Sequence, residues 1–377
     1  VQSPSTQGVV QRAACFSACL AALCSSPAIG QTTANAAGAS AVTVYGFLKV
    51  NVEQVGASGM SGPLRRLSNN QSVLGFRAVE ALGDGLQAWA QIESNVKVDT
   101  GDGPWGGRNT GIGLRGSAGE ILLGQWETPL RFVSVYAIDP FTASIFASNS
   151  ILGNGFTTAA NGVTPASFDR RQPNLIQWSS PVLQGVSARI AYAVPEEKTA
   201  STSPDLLSTL LSYQAGPVYL AWGHERHRDY LRAGSLDTAD RLAAAYSFGP
   251  TRLRATWEQL RYQPGPSTQL KRNAWQVAVT HDIGSGQLRA SWVQGEASTG
   301  NANQGIGSIG APGTDSAAHQ IALGYGHTLS ARTEVWGGWT RLSNGANSSY
   351  NLSANGIPNL KPGQDPYAWG LGMTHKF

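Results

Sequence analysis

Val42-Thr43-Val44-Tyr45-Gly46-Phe47-Leu48-Lys49-Val50-Asn51-Val52-Glu53 puts Val, Val, Gly, Leu, Val and Val at its even positions, while its odd positions turn polar from Lys49 onward. Alternation with period two is the signature of a β-strand that has one apolar face and one wet face. The pattern recurs along the chain. Leu86, Ala88, Ala90 and Ile92 alternate with Gln87, Trp89, Gln91 and Glu93, and Val218, Leu220 and Trp222 alternate with Tyr219, Ala221 and Gly223. The final stretch, Tyr367, Trp369, Leu371, Met373, His375 and Phe377, repeats it and stops on an aromatic residue. No helical period of useful length competes with it.

The segments between these strands are also ordered. Tight turns are expected at Gly83-Asp84-Gly85, Ser117-Ala118-Gly119, Gln184-Gly185, Ala215-Gly216-Pro217, Phe248-Gly249-Pro250, Gly284-Ser285-Gly286 and Leu329-Ser330-Ala331. Longer polar loops are expected near 57–71, 100–109, 127–172, 196–205, 229–237, 264–271, 298–315 and 344–365. Short and long connections alternate and join sixteen strands, roughly 42–56, 72–82, 84–99, 110–117, 119–126, 173–181, 186–195, 206–215, 217–228, 238–249, 251–263, 272–283, 286–297, 316–329, 331–343 and 366–377. An even strand count puts both termini at the short-turn end. These features describe an all-β protein, a sixteen-stranded antiparallel transmembrane β-barrel. Closure is what allows a sheet to cross a bilayer, because it leaves no unpaired edge in lipid. A soluble β-propeller or β-helix would not require the short-long alternation.

Composition agrees. Charged residues make up 13% of the 377, about half the ~25% of soluble domains, as expected if half of every strand faces hydrocarbon. Past residue 30 no apolar run reaches the ~18 residues that a spanning helix needs. The net charge of +4 is scattered over 27 Lys+Arg and 23 Asp+Glu without a basic run, which argues against a nucleic-acid partner. Residues 12–30, RAACFSACLAALCSSPAIG, have the basic, apolar and small-residue parts of a secretory signal peptide. The expected division is a signal peptide at 1–30, a short extension at 31–41 and the barrel at 42–377. Leu23 before Cys24 and Phe16-Ser17-Ala18 before Cys19 fit a lipoprotein box poorly. Cys15, Cys19 and Cys24 are all the cysteines, so the barrel needs neither a disulfide nor a thiolate metal site, and no cofactor is implied.

Several stretches resemble the Gram-negative trimeric general diffusion porin family in its betaproteobacterial form, over about 42–377. Val42-Thr43-Val44-Tyr45-Gly46 is similar to that family's first strand. Leu74-Gly75-Phe76-Arg77 with Glu80-Ala81-Leu82-Gly83-Asp84-Gly85-Leu86-Gln87-Ala88 resembles its second hairpin, and Arg108-Asn109-Thr110-Gly111-Ile112-Gly113-Leu114 the start of its fourth strand. Arg171-Gln172-Pro173-Asn174-Leu175-Ile176-Gln177-Trp178-Ser179-Ser180-Pro181 resembles the strand after the long loop, and His375-Lys376-Phe377 the terminal assembly signal. Phe47-Leu48-Lys49 departs from the family, where an acidic residue often sits there, as does Pro173 near a strand start. The resemblance implies a homotrimer in the Gram-negative outer membrane with both termini periplasmic. Its partners would be outer-membrane lipid, lipopolysaccharide and the barrel-assembly machinery, the last reading Tyr367, Trp369, Leu371, Met373 and Phe377.

A barrel of this size holds a water-filled lumen, so function depends on what narrows it. The third long loop, about 127–172, carries Phe132, Tyr136, Phe141, Phe146 and Phe156 with few charges, too apolar to sit freely in water. In the family this loop folds inward, which makes 127–172 the expected constriction. Rings of Arg or Lys in a pore favour anions. Arg77 is opposite in phase to Phe76 and Ala78 and should face the lumen, and Lys49 is inward by alternation. The matched motifs imply that Arg108 and Arg171 are wall arginines; Arg115 and Arg170 are weaker additions, and Asp139, in Ile138-Asp139-Pro140-Phe141, is the main acidic candidate on the loop. Each arginine has the plainer alternative of holding the loop by a salt bridge. The expected function is passive diffusion of small hydrophilic solutes and ions with mild anion preference, not catalysis. The alternatives are a lipase-like barrel enzyme and a plugged structural or adhesive barrel.

Two motifs carry no chemistry. Gly111-Ile112-Gly113-Leu114-Arg115-Gly116 fits a dinucleotide fingerprint, but a strand follows it where a helix is needed. His224 and His227 lie three apart near a strand end, on opposite faces, and are expected to belong to a surface loop.

Overall fold

Alternation of apolar and polar residues forces each strand to present one face to each side of a sheet, and here that sheet closes on itself. The computed structural model describes residues 41–135, 137–155, 166–196 and 198–377; the expected signal peptide, residues 31–40 of the extension, Tyr136 and Phe156 lie outside the described residues. The strands are β1 (Ala41–Ala57), β2 (Leu64–Asn69), β3 (Val73–Gly83), β4 (Leu86–Asn95), β5 (Thr110–Gly116), β6 (Gly119–Glu127), β7 (Arg171–Ser179), β8 (Val186–Ala193) and β9 (Asp205–Ala215). They continue with β10 (Val218–Arg228), β11 (Leu236–Phe248), β12 (Thr251–Gly265), β13 (Thr268–Ile283), β14 (Gly286–Gly295), β15 (Thr299–Gly300), β16 (Ala318–Thr328), β17 (Thr333–Asn344) and β18 (Pro366–Lys376). β1 pairs antiparallel with β18 from Phe47↔Lys376 to Ala57↔Pro366, which closes the ring.

The eighteen stretches make a sixteen-stranded wall. β1 pairs with β3 through its first half and with β2 through its second, so β2 and β3 are one wall strand broken at 70–72, where Gln71 takes a positive φ. β15 is a two-residue pairing added to the end of β13.

Two connections differ from expectation. Much of the loop expected at 57–71 is wall: Leu67 points outward, while Arg66 and Ser68 point inward and bond the Glu53 carboxylate at 2.5 and 2.7 Å. Its charged inner face made it read as a loop. The loop expected at 264–271 is a tight turn, with Gly265 paired to Thr268, because β12 and β13 run on past the apolar band as a polar hairpin. His224 and His227 both lie on β10 rather than in a loop; His224 faces out and contacts Asp240, while His227 is fully buried inside against Glu225.

The barrel is inside-out relative to a soluble protein. Val42 is 73% exposed and Leu371 66%, whereas Arg241, Glu258 and His227 are fully buried. Exposed Val, Leu, Ile and aromatic side chains ring the outer face of the strands, the arrangement a bilayer rewards and water penalises. Burial of apolar side chains takes place inside the ring instead, against the long connection between β6 and β7.

Candidate functional site

The described part of that connection, 128–135, 137–155 and 166–170, turns into the barrel. It opens with α1 (Pro129–Val135), whose first position is a proline, a residue that needs no amide partner there. The Leu130 amide donates to Ser208 Oγ at 3.0 Å. Leu130, Val133, Ile138, Phe141, Ile145, Phe146, Ile151, Leu152 and Phe168 are all at most 5% exposed. The wall makes room with small inward residues: Ala221, Ala243 and Ala245 pack with Val133 and Ile138, and Ala322 with Phe141 and Phe146. Glycine is required where the approach is closest. A Cβ on Gly223 would lie 2.9 Å from Val133, and one on Gly324 2.7 Å from the Phe141 ring.

A buried charge cluster fixes the loop's far half. Arg241 on β11 and Glu258 on β12 are register partners. Arg241 Nε donates to Glu258 at 2.9 Å, and its Nη1 donates to Leu130 O at 3.2 Å, Ser134 Oγ at 2.7 Å and Asp169 Oδ1 at 3.2 Å. Glu258 also accepts the Gly153 amide at 2.9 Å and Arg272 Nη2 at 3.1 Å, and Arg272 reaches Ile151 O at 3.1 Å. Burial pushes the Asp169 carboxyl up, against the pull of Arg241 and Arg131. Two arginines and a glutamate from three adjacent strands thus grip the loop by its backbone. The loop lies along the inner wall from β8 to β17, and the inner face of β1–β6 carries polar side chains, from the half-buried Lys49, Arg66 and Arg77 to the buried Asn51, Glu53, Gln91 and Glu93.

On that open face Arg77 points inward from β3, its guanidinium 5.3 Å from the Trp89 ring and without a hydrogen bond or ion pair among the described residues. Lys49 also points inward; its Nζ donates to Thr142 O of the loop at 3.1 Å and sits 5.1 Å from the Trp336 ring. Arg115 pairs with Glu120 at 2.5 Å. Arg108 is 6% exposed and is held by Glu93 at 2.8 Å and Asn95 at 2.9 Å. Arg171 is engaged by Glu127 and by Asn109 at 3.0 Å, and Arg170 lies 5.0 Å from the Tyr230 ring. Asp139 is 7% exposed and turned into its own loop, accepting the Phe141 amide at 2.9 Å, the Ser148 amide at 2.6 Å and Ser148 Oγ at 2.8 Å. Burial raises its pKa against those three bonds. Tyr367, Trp369, Leu371 and Met373 point outward on β18, and Phe377 exchanges backbone hydrogen bonds of 3.1 Å with Gly46 at the seam.

Sequence reasoning missed a second group of inward cations, Arg189, Arg252, Arg254 and Arg289, and the Arg241–Glu258–Arg272 clamp. The signal was present. Arg252, Arg254 and Glu258 fall in one phase of β12, with Leu253, Ala255 and Trp257 in the other.

A sixteen-stranded ring around an infolded, apolar, side-packed loop is a pore architecture, and the comparisons agree with it. The chain matches the Gram-negative porin family over residues 17–347. It belongs to that family. Outer membrane porin protein 32 of Delftia acidovorans is 26% identical over 350 residues, covering 90% of this chain and 94% of the relative. Major outer membrane protein P.IB of Neisseria meningitidis serogroup B is 22% identical, covering 89% and 94%. Among solved structures, the anion-selective porin from Comamonas acidovorans superposes with a TM-score of 0.73 at 25% identity, over 90% of this chain and all of that one. The trimer form of OmpT from Vibrio cholerae superposes at 0.64 with 14% identity, over 90% of this chain and 100% of that chain, and shares the fold. This porin is thus a Gram-negative outer-membrane protein whose relatives are channels rather than enzymes.

Proposed function

We propose that the barrel is a passive diffusion channel for small hydrophilic solutes and ions with a mild preference for anions. The observation that carries this reading is Arg77: a lumen-facing guanidinium on the open wall with no carboxylate within ion-pair distance, backed by an aromatic ring instead. A cation whose charge is not cancelled locally attracts anions, whereas one in a salt bridge presents a dipole. Lys49 supports the same sign. Arg108, Arg171 and Arg115 are assigned a lesser share, since carboxylates neutralise them, and Asp139 is assigned to shaping the loop. The anion-selective relative from Comamonas is consistent with this sign.

The short-turn end, where Phe377 meets Gly46, is the proposed periplasmic end. The proposed assembly is a homotrimer, as in the OmpT trimer form, and the outer face supports it. From β7 to β18 nearly every wall strand carries an outward aromatic: Trp178, Tyr192, Tyr213, Trp222, Tyr246, Trp257, Trp292, Tyr325, Trp339 and Trp369 are among the exposed ones. On β1–β6 the exposed outward residues are aliphatic, such as Val42, Val44, Ile92, Ile112, Leu114, Ile121 and Leu123. Aromatics belong at lipid interfaces, so the aliphatic sector is the proposed subunit contact.

The test is the reversal potential of single channels in a planar bilayer under a potassium chloride gradient. The wild type should reverse on the chloride side of zero, and Arg77→Glu should move the reversal toward potassium. An unchanged reversal potential in that variant would remove Arg77 from the selectivity reading.

A further inference from the structure

Among the described residues, two lumen arginines without an acid partner lie side by side near the short-turn end. In the long-loop half most basic side chains are matched by acids, Arg66 with Glu53, Arg108 with Glu93, Arg171 with Glu127, and Arg241 and Arg272 with Glu258 and Asp169, while Arg170 meets the Tyr230 ring instead. At the short-turn end Arg115 and Arg289 are paired with Glu120 and Glu334, but two arginines of β12 are not. Arg252 and Arg254, the second and fourth residues of β12 after the Gly249-Pro250 turn, share its inner face. Along a strand that places their Cα atoms about 6.6 Å apart. Strand register puts Arg252 beside Thr280 on β13, and Thr280 beside Arg289 on β14, all on the inner face.

The hydrogen bonds of this group are unfinished. The Arg252 guanidinium makes no hydrogen bond or ion pair among the described residues, and its Nε and Nη2 are buried without a partner. Among the described residues Arg254 donates to Thr280 Oγ1 at 3.0 Å and the Arg252 carbonyl at 3.5 Å, both neutral acceptors. Arg289 pairs with Glu334 and donates to Gln287 at 2.8 Å. The carboxylates within electrostatic reach of Arg254 are Asp139, committed to its loop, and Asp282, which accepts from Gln287 at 2.8 Å. Orphaned guanidinium donors beside a hydroxyl, with no carboxylate of their own, are the chemistry that binds an oxyanion.

We infer that Arg252, Arg254 and Thr280, flanked by Arg289, form an oxyanion-binding station on the lumen wall between the infolded loop and the short-turn end. The reading rests on the barrel being a conducting channel, and it adds a ligand class: small multivalent oxyanions, of which inorganic phosphate is the probe. Two guanidinium forks give phosphate several charge-assisted bonds, while chloride gains only the field. Because the station lies off-centre, phosphate arriving from the near side reaches it without passing the loop.

The experiment records chloride current through single channels while inorganic phosphate is added to one side of the bilayer and then, separately, to the other. The expected result is a several-fold lower half-blocking concentration from one side. Arg252→Gln with Arg254→Gln should erase that difference while chloride current persists, which shows the barrel folded and inserted. Should the double variant not insert, each single variant is expected to reduce the difference. Equal block from both sides, or a side difference that survives the substitutions, overturns the station. The diffusion reading fails on a separate readout, absence of chloride current in phosphate-free salt.

Discussion

Asp139 illustrates how much one side chain decides in this lumen. Its carboxylate closes an elbow from Asp139 to Ser148 by accepting from two buried amides, Phe141 and Ser148, and from the Ser148 hydroxyl. Asp139→Ala would leave both amides unsatisfied inside the barrel, a cost of about 1–3 kcal/mol. The expected outcome is a lower thermal midpoint for the detergent-solubilised barrel and more flicker in its open-channel current; unchanged noise would mean that packing of Phe141 and Phe146 alone holds the elbow. The pH dependence has a definite sign. Since burial raises the Asp139 pKa in the folded chain, the native state binds this proton more readily than the unfolded chain does. Stability contributed through this group therefore increases as pH falls through its folded pKa toward the ordinary Asp value. Mild acid should not unlock the elbow.

At the scale of elements, the loop and the wall are fitted in two ways, by apolar packing over Ala and Gly positions and by the clamp at Glu258. Buried ion pairs are weak evidence for net stability, but removing one partner strands the other. Glu258→Gln leaves Arg241 with Asp169 alone and deprives Arg272 of its carboxylate. The expected loss is about 3–5 kcal/mol, read as a lower unfolding midpoint, together with altered conductance as the loop shifts; a wild-type midpoint would assign the anchoring to the apolar contacts. The packing half of this fit was legible beforehand, because Phe132, Phe141 and Phe146 in a long connection have no business in water. The clamp was not, although its phase was: Arg241, Glu258 and Arg272 lie on three strands and meet only once the register is known. For the same reason Arg108 and Arg171 could be placed in the lumen from their motifs, but not with Glu93 and Glu127. The hairpin at 264–271 escaped notice because strands above the membrane lose their apolar face and with it the period-two signal.

For the whole molecule, two asymmetries are superimposed on one ring. Along the axis, Arg252 and Arg254, neither paired with an acid among the described residues, lie toward the short-turn end. Around the circumference, exposed outward aromatics recur on β7–β18, whereas the exposed outward side chains of β1–β6 are aliphatic, its outward Phe76 being half-buried against Trp105. The second asymmetry can be separated from lipid insertion by placing the same charge in each sector. Ile112 on β5 and Leu253 on β12 are 58% and 46% exposed on the outer face. An arginine in contact with lipid costs about 2–4 kcal/mol at the bilayer midplane and less near its surfaces, so both Ile112→Arg and Leu253→Arg should weaken insertion. In the proposed homotrimer only Ile112→Arg places the charge against a neighbouring copy, in a contact that three-fold symmetry repeats at every subunit boundary. Native electrophoresis of the refolded barrels is expected to show monomers for Ile112→Arg and trimers for Leu253→Arg, and bilayer currents should close in single steps for the first and in groups of three for the second. The reverse pattern would put the subunit contact on the aromatic sector and leave β1–β6 facing lipid.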